Sequence, residues 1–147
     1  MIPRSESSLA TELEQIARRF SIRDVYAFGS RAHELRRRLA GENEAGPVSS
    51  SDLDIAVQPY DAAAFVARDR VRLASALEDV FGADPVDLVV LSEAPVLLAT
   101  EVVRGELLYT ADPLAQAEHE LYVLRRAADL APFLRGRVEQ ILTHRAR

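Results

Sequence analysis

The sequence predicts an α/β (α+β) domain in which a small mixed β-sheet is flanked by helices and followed by a C-terminal helix. Three observations carry this. Residues 22–28, 52–57 and 86–91 are short apolar runs of strand length. The segments between and around them repeat their apolar residues at helical spacing. Gly, Pro and Ser stand at the junctions. The order reads α-β-α-β-α-β-α-β-α.

Residues 5–20 form the first expected helix, with Ser5 and Ser8 as candidate caps and Leu9, Leu13, Ile16 and Ala17 on one face. The strand at 22–28 ends at Gly29-Ser30. A second helix is expected from Ser30, carrying Ala32, Leu35 and Leu39, and stopping near Gly41. Residues 41–51 read as loop. The strand at 52–57 is closed by Pro59, which cannot donate a ladder hydrogen bond. A long helix is expected over 61–81, capped by Asp61 and ended by Gly82 at the C′ position. The run 86–91 is so apolar that a central strand is expected. Pro95 opens a helix to about Arg104, and Gly105 ends it. Residues 106–110 suit an edge strand. Residues 112–145 are helical in pattern, with a break expected near Ala131-Pro132. The whole, 1–147, reads as one domain with an insertion over 36–51 and a helical segment over 112–145.

Composition removes several chemistries. All 18 basic residues are arginine, and the chain has neither lysine nor cysteine. Schiff-base lysines, thiol nucleophiles, disulfides and cysteine metal sites are therefore excluded. His33, His119 and His144 leave little for a histidine-built metal site. A net charge of −5 argues against direct nucleic-acid binding through phosphate neutralisation. No run is long and apolar enough for a membrane span. The first residues lack the layout of a signal peptide, so a cytoplasmic location is expected.

What remains in quantity is carboxylate, arginine and hydroxyl. Asp52 and Asp54 stand at i and i+2 of one strand, so they share a face, with Cα atoms about 6.5–7 Å apart. Taken alone, Asp-x-Asp also serves as a turn or a cap. Asp87 interrupts an apolar strand, where a charge needs a salt bridge or a metal. If the two strands are neighbours, three hard oxygen donors meet at one end of the sheet, a set suited to Mg²⁺. Gly29-Ser30 ends a strand where the next helix begins. Glycine lets a ligand approach the backbone, and a helix start favours phosphate. As a lone dipeptide it is equally a plain turn.

Taken together, Val25-Tyr26-Ala27-Phe28-Gly29-Ser30-Arg31-Ala32, Ser51-Asp52-Leu53-Asp54 and Val86-Asp87-Leu88 resemble the DNA polymerase β-like nucleotidyltransferase superfamily. Within it the pattern is most similar to the minimal nucleotidyltransferases, the MntA-type antitoxins of HEPN–MNT pairs. The resemblance spans roughly residues 9–135, and the stretch from Glu118 to Phe133 looks like that group's C-terminal helix. It implies a nucleotidyltransferase fold and the following roles. Gly29 and Ser30 would hold the triphosphate of ATP; separately from the resemblance, Arg31 follows the Gly-Ser turn and is within reach of a phosphate. Asp52 and Asp54 would ligate Mg²⁺. Asp87 would be the third metal ligand or the general base. The implied activity is AMP transfer from ATP to a tyrosine of a partner HEPN-domain toxin, with pyrophosphate leaving, and a homo- or hetero-oligomer is compatible with it. Two departures stand out: Glu34 occupies a position where the family commonly has glycine, and the spacer from Arg31 to Ser51 is longer than usual. They keep two alternatives in view. One is transfer to a small-molecule hydroxyl. The other is an antitoxin that neutralises by binding alone.

Overall fold

The computed structural model describes residues 7–42, 52–82 and 85–145. Its elements are α1 (Ser7–Arg19), β1 (Ile22–Phe28), α2 (Ala32–Leu39), β2 (Leu53–Pro59), α3 (Ala67–Phe81), β3 (Val86–Val90), α4 (Val96–Arg104), β4 (Glu106–Thr110) and α5 (Pro113–Arg145), with a 3-10 turn at Leu91–Glu93. The four strands form one mixed sheet in the order β3-β2-β1-β4. β2 and β3 run parallel, while β1 is antiparallel to both β2 and β4. Most of the insertion expected over 36–51 lies outside the described residues.

Alternation along the strands divides the core into two layers. Val25, Ala27, Ile55 and Val57 pack with Leu13, Leu35, Leu73 and Leu77 from α1, α2 and α3. Tyr26, Phe28 and Ala56 pack on the other face with Ala99, Val102 and Val123 from α4 and α5. The sheet is thus a middle layer between two sets of helices.

Four expectations change. First, β3 is an edge strand rather than a central one. Its apolar run reflects two covered faces: Val86 and Val90 join the first layer and Val89 packs against the second. Second, α2 begins at Ala32, not Ser30. Third, α3 begins at Ala67 rather than 61. The Asp61 carboxylate instead accepts the amides of Ala63 (3.1 Å) and Ala64 (3.4 Å), which closes a separate turn. The amide of Val66, the residue just before the helix, donates to Asp69 at 3.0 Å. Fourth, α5 runs unbroken through Pro132. Pro132 and Ala128 are both exposed, so water can take the carbonyl that the proline leaves unpaired.

α5 is anchored to the sheet by a buried polar knot. The Gln116 amide donates to the Tyr26 hydroxyl (2.7 Å) and to Glu120 (2.6 Å), and the Tyr26 hydroxyl donates to Glu120 at 3.0 Å. Burial holds the Tyr26 phenol well above its ordinary pKa, so it stays a neutral donor. Asp24, fully buried, accepts from Arg23 at 2.9 Å and from Thr110 at 2.7 Å, tying β1 to β4.

Gly105 fixes how closely α4 approaches β1. A Cβ there would lie 2.4 Å from the Ala27 carbonyl oxygen and 3.2 Å from the Phe28 Cα. Neither backbone atom can move without disturbing the ladder. Gly105→Ala is expected to lower stability by about 1–3 kcal/mol in urea titration; an unchanged midpoint would show that β1 and α4 can separate freely.

Candidate active site

The end of β1 and the starts of β2 and β3 meet at one corner of the sheet. Phe28 lies opposite Asp54, and Asp54 lies opposite Asp87. Strand parity puts Asp54 on the face of Ala56, and Asp87 on the face of Val89. Both residues belong to the α4–α5 side, with neighbouring strands about 4.8 Å apart. Asp52 precedes β2 two residues before Asp54, where it is exposed. The three aspartates singled out by the sequence therefore share one corner.

Gly29 follows Phe28 with φ +77°. That left-handed backbone folds it directly against Asp54: a Cβ on Gly29 would lie 2.4 Å from Asp54 Oδ2. Glycine is needed here twice over, for the dihedral and for the space. Ser30 is exposed beside it, and a cleft is lined by Gly29, Ser30, His33, Glu101, Arg104 and Glu106.

Electrostatics mark Asp54 as the strained member. Its pKa is pushed up, first by burial and then by the charges of Asp87, Asp52 and Glu101. Among the described residues no basic side chain pairs with Asp52, Asp54 or Asp87. Nor do three His, Cys, Asp or Glu side chains close into a ready metal cage there. Uncompensated, crowded carboxylates of this kind fit a hard divalent cation that takes few protein oxygens and keeps water and phosphate for the rest. Asp54 and its strand neighbours are the side chains that would hold it.

Glu101 escaped the sequence reading. On α4 it looks like an ordinary solvated helix position, and only the docking of α4 brings its charge to bear on Asp54. Arg104 escaped for the same reason. It is exposed on the cleft, and no described acid pairs with it.

Arg31 takes a different place from the one expected. It is 4% exposed, and its guanidinium meets Glu34 through Nε (3.1 Å) and Nη2 (3.3 Å). Arg38 reaches Glu34 as well, at 2.7 Å, and also donates to the Phe81 carbonyl at the end of α3. These contacts hold the Glu34 carboxyl below its ordinary pKa, with the Arg31 hydrogen bond the largest cause. Glu34 is thus a neutralised structural partner and not a free charge facing a phosphate. Within the run Arg36-Arg37-Arg38, Arg37 bonds Glu42 at 2.8 Å.

Glu34→Ala strips acceptors from a buried guanidinium, so a loss of about 1–3 kcal/mol is expected at neutral pH. Because the folded pKa is depressed, this contribution is complete above the ordinary value of 4.5 and is lost as pH falls through the lowered one. Urea titrations of the two proteins should converge toward acid; a gap that stays constant with pH would rule out the ion pair as its source.

The sequence pattern of the polymerase β nucleotidyltransferase family matches residues 11–114. The chain belongs to this family. It is a nucleotidyltransferase. No curated protein matches the chain. Several solved structures share its fold. One is a chain of an MntA–HpeT toxin–antitoxin complex bearing two aspartate-to-glutamate substitutions, at 20% identity and TM-score 0.69, covering 90% of this chain and 98% of that one. Another is from a toxin–antitoxin complex with AMP-PNP, at 20% identity and TM-score 0.67, covering 90% and 98%. A third is from the tri-AMPylated Shewanella oneidensis HEPN toxin in complex with its MNT antitoxin, at 19% identity and TM-score 0.66, covering 94% and 99%. No helix among the described residues is long and apolar enough to cross a membrane.

Proposed function

We propose that this nucleotidyltransferase is the antitoxin of a HEPN–MNT pair, moving AMP from ATP onto a tyrosine of the partner HEPN ribonuclease and so silencing it. The observation that carries the reading is the packing of Gly29 against Asp54 within a corner of unpaired carboxylates. The solved relatives, which include an AMPylated toxin and an AMP-PNP complex, support it.

In this reading Asp52 and Asp54 would hold Mg²⁺, which when bound would offset the charge of carboxylates and phosphates together. Ser30 and the backbone of Gly29 receive the triphosphate where the chain turns toward α2. Arg104, rather than Arg31, supplies the cleft's basic group. The tyrosine oxygen bonds to the α-phosphorus, the bond to the β-phosphate oxygen breaks, and pyrophosphate leaves. Asp87, exposed at the rim, takes the hydroxyl proton. Glu34 and the longer spacer were the two reasons to consider neutralisation by binding alone, and the pairing of Glu34 with Arg31 and Arg38 answers the first of them.

The test is incubation with labelled ATP, Mg²⁺ and the product of the adjacent reading frame, followed by mass spectrometry. Addition of AMP to a tyrosine of that protein is expected. Transfer to an aminoglycoside hydroxyl, with none to the protein, would instead establish a small-molecule enzyme.

A further inference from the structure

Beyond Val123, α5 leaves the core. Val123 is 4% exposed and is the last buried residue on the helix among those described. The remainder, to Arg145, is about 33 Å long at 1.5 Å per residue. It also lies outside the part of the chain that the family pattern matches, which ends at residue 114.

Six apolar residues of this arm form a stripe, while Leu130, Phe133 and Leu142 lie off it. Leu124, Ala127, Ala131, Leu134, Val138 and Ile141 follow one another at steps of three, four, three, four and three. That is an unbroken a/d heptad seam, the spacing that keeps one stripe facing a partner helix. Ile141 and Val138 are half exposed, and Leu124 is exposed as well. The two residues that disfavour helix, Pro132 and Gly136, fall at b and f positions, away from the seam. A Cβ on Gly136 would meet nothing within 4 Å.

The positions flanking the seam decide the occupant. The e and g positions are Ala128, Leu130, Arg135, Arg137, Leu142 and His144. Both charges are positive and exposed, in a chain whose net charge is −5. Among the described residues neither arginine is paired with an acid of its own chain. A second copy of this helix would bring arginine or leucine to these flanks and no opposite charge. A helix with acidic flanks would pair with them.

We infer that α5 beyond Val123 is a docking arm for a helix of a partner protein that is apolar at heptad spacing and acidic at its flanking positions. This deepens the antitoxin reading, since the partner would then be the toxin, and it locates toxin capture on a surface separate from the carboxylate corner.

The probe is a synthetic four-heptad peptide with Leu and Ile at a and d and Glu at e and g, added to the full chain without ATP or Mg²⁺. Its counterpart carries Lys at e and g. The Glu peptide is expected to bind at least about tenfold more tightly, with affinity falling as salt rises. Arg135→Glu with Arg137→Glu should reverse the preference. Leu134→Asp with Val138→Asp should abolish binding of either peptide while the circular dichroism spectrum stays unchanged. Equal binding of both peptides, or of neither, overturns the proposal. So does sedimentation of the chain alone as a dimer that Leu134→Asp with Val138→Asp converts to monomer, because a second copy would then fill the seam. Since no step uses ATP, failure of AMP transfer to the toxin leaves this outcome readable on its own.

Discussion

Asp54→Asn protein is expected to fold and yet lose AMP transfer by about a hundredfold or more, the scale on which removal of a precisely placed charged group acts. The substitution keeps the shape of the side chain and removes its charge. Asp54 lies between Gly29 and Asp87, so no other carboxylate can take its position. The fold should survive because the ionised form is the costly one. Burial and three neighbouring acids raise the Asp54 pKa, which means its charge opposes folding when no cation is bound. The sign follows directly: metal-free wild-type protein should lose stability as pH rises above the ordinary carboxylate value of 3.8 and through the raised one. The Asn variant should lack that slope. Undiminished transfer in the variant would remove Asp54 from the reaction, and an equal slope would remove it from the titration.

Gly29→Ala is the second large effect. A left-handed φ costs an L-residue roughly 1–2 kcal/mol. Gly82 offers the control, with φ +62° and nothing within 4 Å of an added Cβ. Gly82→Ala should show the backbone cost alone, about 1 kcal/mol, with transfer unchanged. Gly29→Ala adds the collision with Asp54 and should lower transfer by about a hundredfold, since displacing a reacting group by about 1 Å has that effect. The comparison is read from melting temperature and single-turnover transfer on the same samples. If both variants transfer equally well, the contact between Gly29 and Asp54 has no catalytic importance.

The strands and most helices were legible because their causes are local. Residues 22–28 and 106–110 were placed correctly by apolar spacing and by the Gly and Pro around them. The aspartate corner was partly legible: the Asp-x-Asp spacing suggested a common face for Asp52 and Asp54, but β2 begins at Leu53, and the meeting of Asp54 with Asp87 depended on β2 and β3 being neighbours. Lateral order in the sheet was misread, because the apolarity of β3 reports covered faces and not its position in the row. The inward packing of Arg31 was not legible for a related reason. A basic residue beside a Gly-Ser turn reads as a phosphate contact until Glu34, one helical turn away, is seen to hold it inside. Glu101 and Arg104 carried no signal at all, since a solvated helix face looks alike whether or not it overlooks a cleft.

Asp87 has a second consequence through its place in the sheet. Among the described residues the outer side of β3 is an edge of five residues, Val-Asp-Leu-Val-Val, whose composition would otherwise suit intermolecular strand addition. The exposed carboxylate, together with the brevity of the strand, acts as a gatekeeper against edge-to-edge growth. An Asp87→Val variant is therefore expected to be adhesive, so a carboxylate proposed to serve the chemistry would also keep the chains apart.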